Sequence, residues 1–77
     1  MGKRSLQNLI GPAIRKVRRQ RGLTQAMLAA RCNRVGWDIG ENTISKIEAQ
    51  IRCVTDEEIV FLTKALNASV QDFFSER

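Results

Sequence analysis

GLTQAMLAARC, residues 22–32, is the stretch that decides how this chain folds. Gly22 tolerates the left-handed conformation that stops a helix, and Leu23 is the apolar residue that tucks back after such a stop. Thr24 then offers its hydroxyl as the N-cap of a second helix. Leu28, Ala29 and Cys32 fall on one face of that helix, which is expected to run to about Cys32. Ala29 and Ala30 leave room for a neighbouring helix to come close. Met27 stands where a Glu or Gln would reach back, so the capping box is expected to stay incomplete. The stretch therefore reads as helix end, tight turn and helix start.

Working outward, Gly11-Pro12 reads as the entrance of the preceding helix, because proline at the first helical position gives up no needed hydrogen bond. Ile10, Ile14 and Val17 follow at helical spacing, while Arg15, Lys16 and Arg19 point elsewhere. Residues 1–9 read as a loose basic lead-in with slight packing from Leu6 and Leu9, and residues 10–77 as one folded domain. Downstream, NRVGWDIG (33–40) breaks the helical pattern and is expected to be a connection, with Val35, Trp37 and Ile39 covering the core edge. A third helix over about Glu41–Gln50, N-capped by Gly40, would turn Ile44, Ile47 and Ile51 inward. Thr55 and Glu58 form a full capping box for a fourth helix that runs to about Leu66 and buries Ile59, Leu62 and Leu66. Ser69 and Asp72 open a short fifth helix carrying Val70, Phe73 and Phe74. No stretch alternates convincingly as a strand. The expectation is an all-α, compact bundle of about five short helices.

Composition narrows the chemistry. The 77 residues contain no histidine and two cysteines, Cys32 and Cys53. Two soft ligands cannot close a four-coordinate zinc site, and a Ser-His or Cys-His catalytic pair has no partner here. No metal, cofactor or enzymatic activity is expected. Both cysteines are expected to be small core residues in a reducing cytoplasm. No apolar run reaches the roughly 20 residues that span a bilayer, no signal-peptide core follows the basic start, and Leu6 stands where a myristoylation signal wants Ser or Thr. The net charge is +5, and it is polarised: residues 1–37 hold nine basic side chains and no acid, residues 38–77 four basic and eight acidic. A small basic domain of that kind suits a polyanionic partner, nucleic acid above all.

Gly22-Leu23-Thr24-Gln25-x-x-Leu28-Ala29, then Thr43-Ile44-Ser45-Lys46-Ile47-Glu48, then Ala65-Leu66-x-Ala68-Ser69-Val70-x-Asp72-Phe73 form an ordered set. That set strongly resembles the lambda-repressor-like helix-turn-helix family, also called the Cro/repressor or XRE family. The resemblance covers roughly Ile10 to Phe74. It implies that helices 2 and 3 form a helix-turn-helix whose second helix enters the major groove of DNA. Two departures stand out. The span from Leu28 to Ser45 is about five residues longer than the family's usual turn, and Ala49-Gln50 replace the glycine that usually follows helix 3.

The resemblance assigns base reading to Glu41, Asn42, Thr43 and Lys46. Their chemistry suits it: Asn42 pairs with adenine, Lys46 donates to guanine, Glu41 accepts from cytosine, and the Thr43 methyl meets thymine. Gln25 falls where the family contacts a phosphate, with Arg15, Arg52, Lys3 and Arg4 as further phosphate candidates. Arg19, Arg21, Arg31 and Arg34 read as solvated charge. The resemblance also pairs Arg18 with Glu48 as a mostly buried salt bridge, since either charge alone there would cost about 3–5 kcal/mol. Repressors of this family usually bind as dimers, and Phe73, Phe74 or Trp37 would supply a homodimer contact. The expected function is a sequence-specific, double-stranded-DNA-binding transcriptional regulator of repressor type. Its variants are an antitoxin that neutralises a toxin and represses its own operon, and an interaction module of the same fold that does not read DNA.

Overall fold

The computed structural model describes residues 6–74. These form five helices and, among the described residues, no strand: α1 (Gly11–Gln20), α2 (Gln25–Arg34), α3 (Glu41–Glu48), α4 (Asp56–Leu66) and α5 (Val70–Phe74). Pro12 sits in the first turn of α1, where its missing N–H costs nothing. Thr24 caps α2 through its side chain, accepting from the Met27 N–H at 3.0 Å. The return bond, expected to be absent, is present: the Thr24 N–H donates to the Met27 sulfur at 3.5 Å. Thioether sulfur is a weak acceptor, but long and flexible enough to fold back where Glu would. Thr55 and Glu58 close the second box in the usual way, at 3.1 and 3.2 Å.

α1, α2, α3 and α4 all end in the same geometry. A left-handed residue follows each helix, Gly22 (φ 71), Gly36 (φ 105), Gln50 (φ 65) and Asn67 (φ 54) in turn. In each case the next residue donates its N–H back to the helix. Leu23 bonds to Arg18 O at 3.1 Å, Trp37 to Cys32 O at 2.9 Å, Ile51 to Lys46 O at 3.0 Å and Ala68 to Thr63 O at 2.9 Å. These are Schellman closures, which satisfy carbonyls that the helix leaves orphaned. Only two of the four use glycine. Gln50 fills the place of the missing family glycine and accepts a backbone strain of about 1–2 kcal/mol.

Several bounds differ from the sequence reading for this reason. α2 continues past Cys32 to Arg34 because Gly36, two residues farther on, supplies the stop. α3 ends at Glu48, so Ile51 leaves the helix face and is 65% exposed instead of buried. Cys32 is buried, but Cys53, outside any helix, is exposed. Its thiol donates to the Gln7 side-chain oxygen at 3.1 Å.

α2 packs on α3 and α4, α1 on α3 and α5, and α4 on α5. Ile14, Leu28, Cys32, Ile44, Ile47, Leu62 and Leu66 are fully enclosed at the centre, with Ile10, Val17, Leu23, Ala29, Ala65 and Phe73 around them. Ala13, Trp37, Ile39, Val54, Ile59 and Ala68 cover the edge. Each enclosed Ile or Leu contributes about 1.5–3 kcal/mol by leaving water. Gly11 makes the α1–α3 approach possible, since a Cβ there would run into the carbonyl oxygens of Ile47 and Glu48. The lead-in joins this contact through polar atoms. The Asn8 amide donates to Ile47 O at 3.1 Å and Arg52 O at 2.9 Å, while Leu6 and Leu9 stay exposed.

Candidate nucleic-acid interface

α3 divides cleanly into two faces. Ile44, Ile47 and Glu48 are buried against α1 and α2, whereas Glu41, Asn42, Ser45 and Lys46 are exposed and Thr43 is half-buried. Residues four apart are neighbours on a helix, so Glu41–Ser45 and Asn42–Lys46 form two adjacent rows. Ser45 therefore shares the outward face, although it was not among the candidate residues. The i, i+4 spacing from Glu41 carries that signal. Gly40 caps the helix with no side-chain bond, so the amino tip is unobstructed. Glu41 sits in the first turn, where the helix dipole favours an acid.

The inner face is held by a polar cluster centred on Glu48. Arg18 donates through Nε to Glu48 Oε2 at 2.7 Å and through Nη2 to Oε1 at 3.0 Å, a forked geometry that Lys could not reproduce. Its Nη1 donates to Leu23 O at 2.8 Å, which ties the same guanidinium to the turn between α1 and α2. Arg18 and Glu48 are each 8% exposed. The hydrogen bonds and charge of Glu48 raise the Arg18 pKa against the opposing effect of burial. Gln25, in the first turn of α2, donates through Nε2 to Glu48 Oε1 at 3.1 Å. An amide nitrogen carries two hydrogens, so Gln25 keeps a second donor while Glu48 fixes its orientation.

The cations of the basic half divide by role. Arg21, expected to be solvated, donates to Leu66 O at 2.8 Å and Asn67 O at 3.0 Å, at the carboxyl end of α4. Arg31 reaches Ala65 O at the outer limit of 3.5 Å. Both meet the negative end of a helix dipole. Arg15, Lys16 and Arg19 instead line one shallow exposed face of α1 with Pro12 and Gln20. Lys3 and Arg4 lie outside the described residues.

Arg52 follows α3 but is already engaged. Its two Nη atoms bind the Glu58 carboxylate at 2.9 and 3.2 Å, and its guanidinium lies 6.0 Å from the Trp37 ring centroid. Arg52 in turn holds the Glu58 pKa below its ordinary value, helped by the Thr55 N–H. Trp37 stacks on Phe61, with centroids 5.8 Å apart and planes 18° from parallel. Phe73 is buried at 2% exposure, whereas Phe74 is 50% exposed. Trp37 is thereby committed within the chain, and of the three aromatics expected at a dimer contact, Trp37, Phe73 and Phe74, only Phe74 is largely exposed.

Among the described residues no cluster of His, Cys, Asp or Glu has the arrangement to hold a metal ion, and no helix is long and apolar enough to cross a membrane.

The comparisons with known proteins agree with this geometry. The chain is similar in structure to the restriction-modification controller protein C.AhdI from Aeromonas hydrophila, with 25% identity and a TM-score of 0.75 over 84% of this chain and 87% of that one. It is similar also to a mutant of the restriction-modification controller protein C.Esp1396I, with 30% identity and a TM-score of 0.73 over 92% of this chain and 86% of that one. The wild-type C.Esp1396I structure shares the fold at 23% identity and a TM-score of 0.71, over 97% of this chain and 100% of that one. No curated protein matches the chain. The family model described as helix-turn-helix matches residues 14–73, which run from within α1 to within α5 and include both the lengthened turn and the Ala49-Gln50 site, and the chain belongs to that family.

Proposed function

We propose that this chain is a sequence-specific, double-stranded-DNA-binding transcriptional regulator that reads the major groove with the outward face of α3. One observation carries the reading: Asn42 and Lys46 stand exposed in one row while the opposite face of the same helix is locked into the core. A rigid helix with an open amino tip and bidentate-capable side chains is what base-edge recognition requires. Glu41, Asn42, Thr43 and Lys46 are assigned to bases. Gln25 and Arg15 are assigned to phosphates, where they fix register without reading sequence. Arg52 joins them only in second place, because Glu58 already offsets its charge. Lys3 and Arg4 are tail candidates for the same work. The likeness to restriction-modification controllers supports a regulator acting on gene expression and not an enzyme.

The chain is further proposed to act as a homodimer. Phe74 borders a groove of about 200 Å³ with Leu9, Ile10, Val54 and Ile59, and Leu9 is 77% exposed beside it. Two copies meeting there would place two α3 helices on paired half-sites.

Selection from a random duplex library tests the whole reading. The expected result is a palindromic motif. Asn42→Ala or Lys46→Ala should relax the preference at one position by about 1–3 kcal/mol. Arg15→Ala should weaken binding to every sequence and make the salt slope shallower by about one unit. A wild-type chain that enriches no motif would replace this reading with an interaction module of the same fold.

A further inference from the structure

The connection Val35–Gly40 is longer than a helix-turn-helix needs, and slack there would leave the amino tip of α3 poorly aimed. It is not slack. Gly36 closes α2, and a Cβ on Gly36 would lie 3.7 Å from the Phe61 ring. The Asn33 side chain donates to Trp37 O at 2.9 Å and to Ile39 O at 3.0 Å, pinning both halves of the connection to the end of α2. The Trp37 ring has two neighbours: it stacks on the Phe61 ring of α4, at 5.8 Å, and the Arg52 guanidinium lies 6.0 Å from its centroid. Arg52 is itself fixed by Glu58, which the Thr55 N–H anchors at 3.1 Å. Both neighbours of Trp37 are thus grounded on α4. Gly40, three residues on, supplies the carbonyl that receives the Thr43 and Ile44 amides at 3.1 and 3.5 Å.

We propose that Trp37 is a positioning residue for sequence recognition, and that its stack on Phe61, with the Arg52 guanidinium close by, fixes the amino end of α3, where bases are read. The proposal rests on the DNA-reading function above. A planar side chain suits this role because stacking sets its orientation as well as its depth. The other end of α3 has its own fastenings, Arg18 and Gln25 on Glu48 and Asn8 on Ile47 O, and Asn8 meets Arg52 only at its backbone carbonyl, not at the guanidinium near Trp37. Loss of the stack should therefore loosen one end of the helix and spare the other.

Trp37→Leu removes the stack but keeps apolar bulk, Trp37→Phe keeps a ring, and Asn33→Ala cuts the two pinning bonds from an exposed position in case the leucine variant folds poorly. In the free protein, amide exchange at Thr43 and Ile44 should rise roughly tenfold in Trp37→Leu and in Asn33→Ala, with Gln50 and Ile51 unchanged. Discrimination between the selected duplex and a scrambled one should fall roughly tenfold in the same variants, at an unchanged salt slope. Trp37→Phe should restore both. Exchange that rises equally at both ends of α3, or discrimination that stays at the wild-type level, would overturn the proposal while leaving the DNA reading intact. A wild-type chain that discriminates no duplex would overturn both.

Discussion

At the scale of single residues, two charged pairs hold the geometry of this chain. Arg18 and Arg52 each meet a carboxylate through two nitrogens, but their settings differ. Arg18 and Glu48 are almost sealed, so removing either partner would strand a charge in the core. The Arg52 side chain is 33% exposed, so the gain from its pair with Glu58 is smaller. The pair with Glu58 has a readable pH signature. The folded-state pKa of Glu58 is lowered, first by Arg52 and then by Thr55. Its stabilising effect is thus complete above the unfolded value of about 4.3 and is lost as pH falls through the folded one. Thermal unfolding of wild type and Glu58→Gln should differ most at neutral pH, and the gap should close below about pH 4. A gap that stays constant across that range would mean the carboxylate charge contributes nothing. Cys32 shows the opposite shift, since burial pushes its thiol up to about 11 and keeps it protonated.

At the scale of elements, the starts of the helices were easier to read than their ends. Thr24, Thr55 and Pro12 announce a start through chemistry that survives in one dimension: a hydroxyl acceptor or a missing N–H. Gly22 announces a stop for the same reason. Asn67 also fits a stop, since Asn takes the left-handed conformation readily, and α4 ends at Leu66 as expected. Gln50 does not announce one, because its left-handed conformation is held by the contacts around it. The Gln50 amide donates to Asn8 O at 3.1 Å, and the Gln50 carbonyl receives the Gln7 N–H at 3.1 Å, so the lead-in helps to hold the strained turn. That coupling spans more than forty positions, and no local pattern announces it. The same holds for Trp37 and Phe61, whose stack joins the connection to α4. Arg18 and Glu48 are thirty positions apart, and their pairing entered through family resemblance, not spacing. The stops yield their own prediction. Asn67 lies exposed at φ 54, so Asn67→Gly should stabilise the chain by up to about 1 kcal/mol and Asn67→Val should destabilise it by about 1–2 kcal/mol. Denaturant midpoints decide this, and equal midpoints for the two variants would remove the strain argument.

At the scale of the whole molecule, the polarised charge resolves into separate tasks. Arg18, Arg21 and Arg31 are directed inward or onto helix ends, while Arg15, Lys16 and Arg19 remain on the exposed flank of α1. That flank is a cationic surface of the kind the proposed phosphate contacts need, and α3, with Glu41 at its tip, contributes little net charge. The proposed homodimer also belongs to this scale. Phe74 is half exposed next to Leu9, and an isolated 77-residue domain gains little by leaving such residues in water. Phe74→Asp should shift sedimentation toward a monomer without lowering the unfolding midpoint. Paired half-sites should then be bound more weakly, and single half-sites as before. A wild-type chain that sediments as a monomer would overturn the proposed dimer, and an unchanged profile for Phe74→Asp would take Phe74 out of its contact.

The division of α3 into a fastened face and an open one has an evolutionary consequence. Bonds that anchor the helix run through Gly40, Ile47, Glu48 and Gln50 and through the backbone carbonyls of Ser45 and Lys46, whereas no side chain of Asn42, Ser45 or Lys46 takes part in them. Replacements at those outward positions leave the anchoring bonds intact, so, with bases read there as proposed, lineages could drift from one target sequence to another without passing through an unstable intermediate. The same property makes this scaffold open to retargeting by varying three or four side chains.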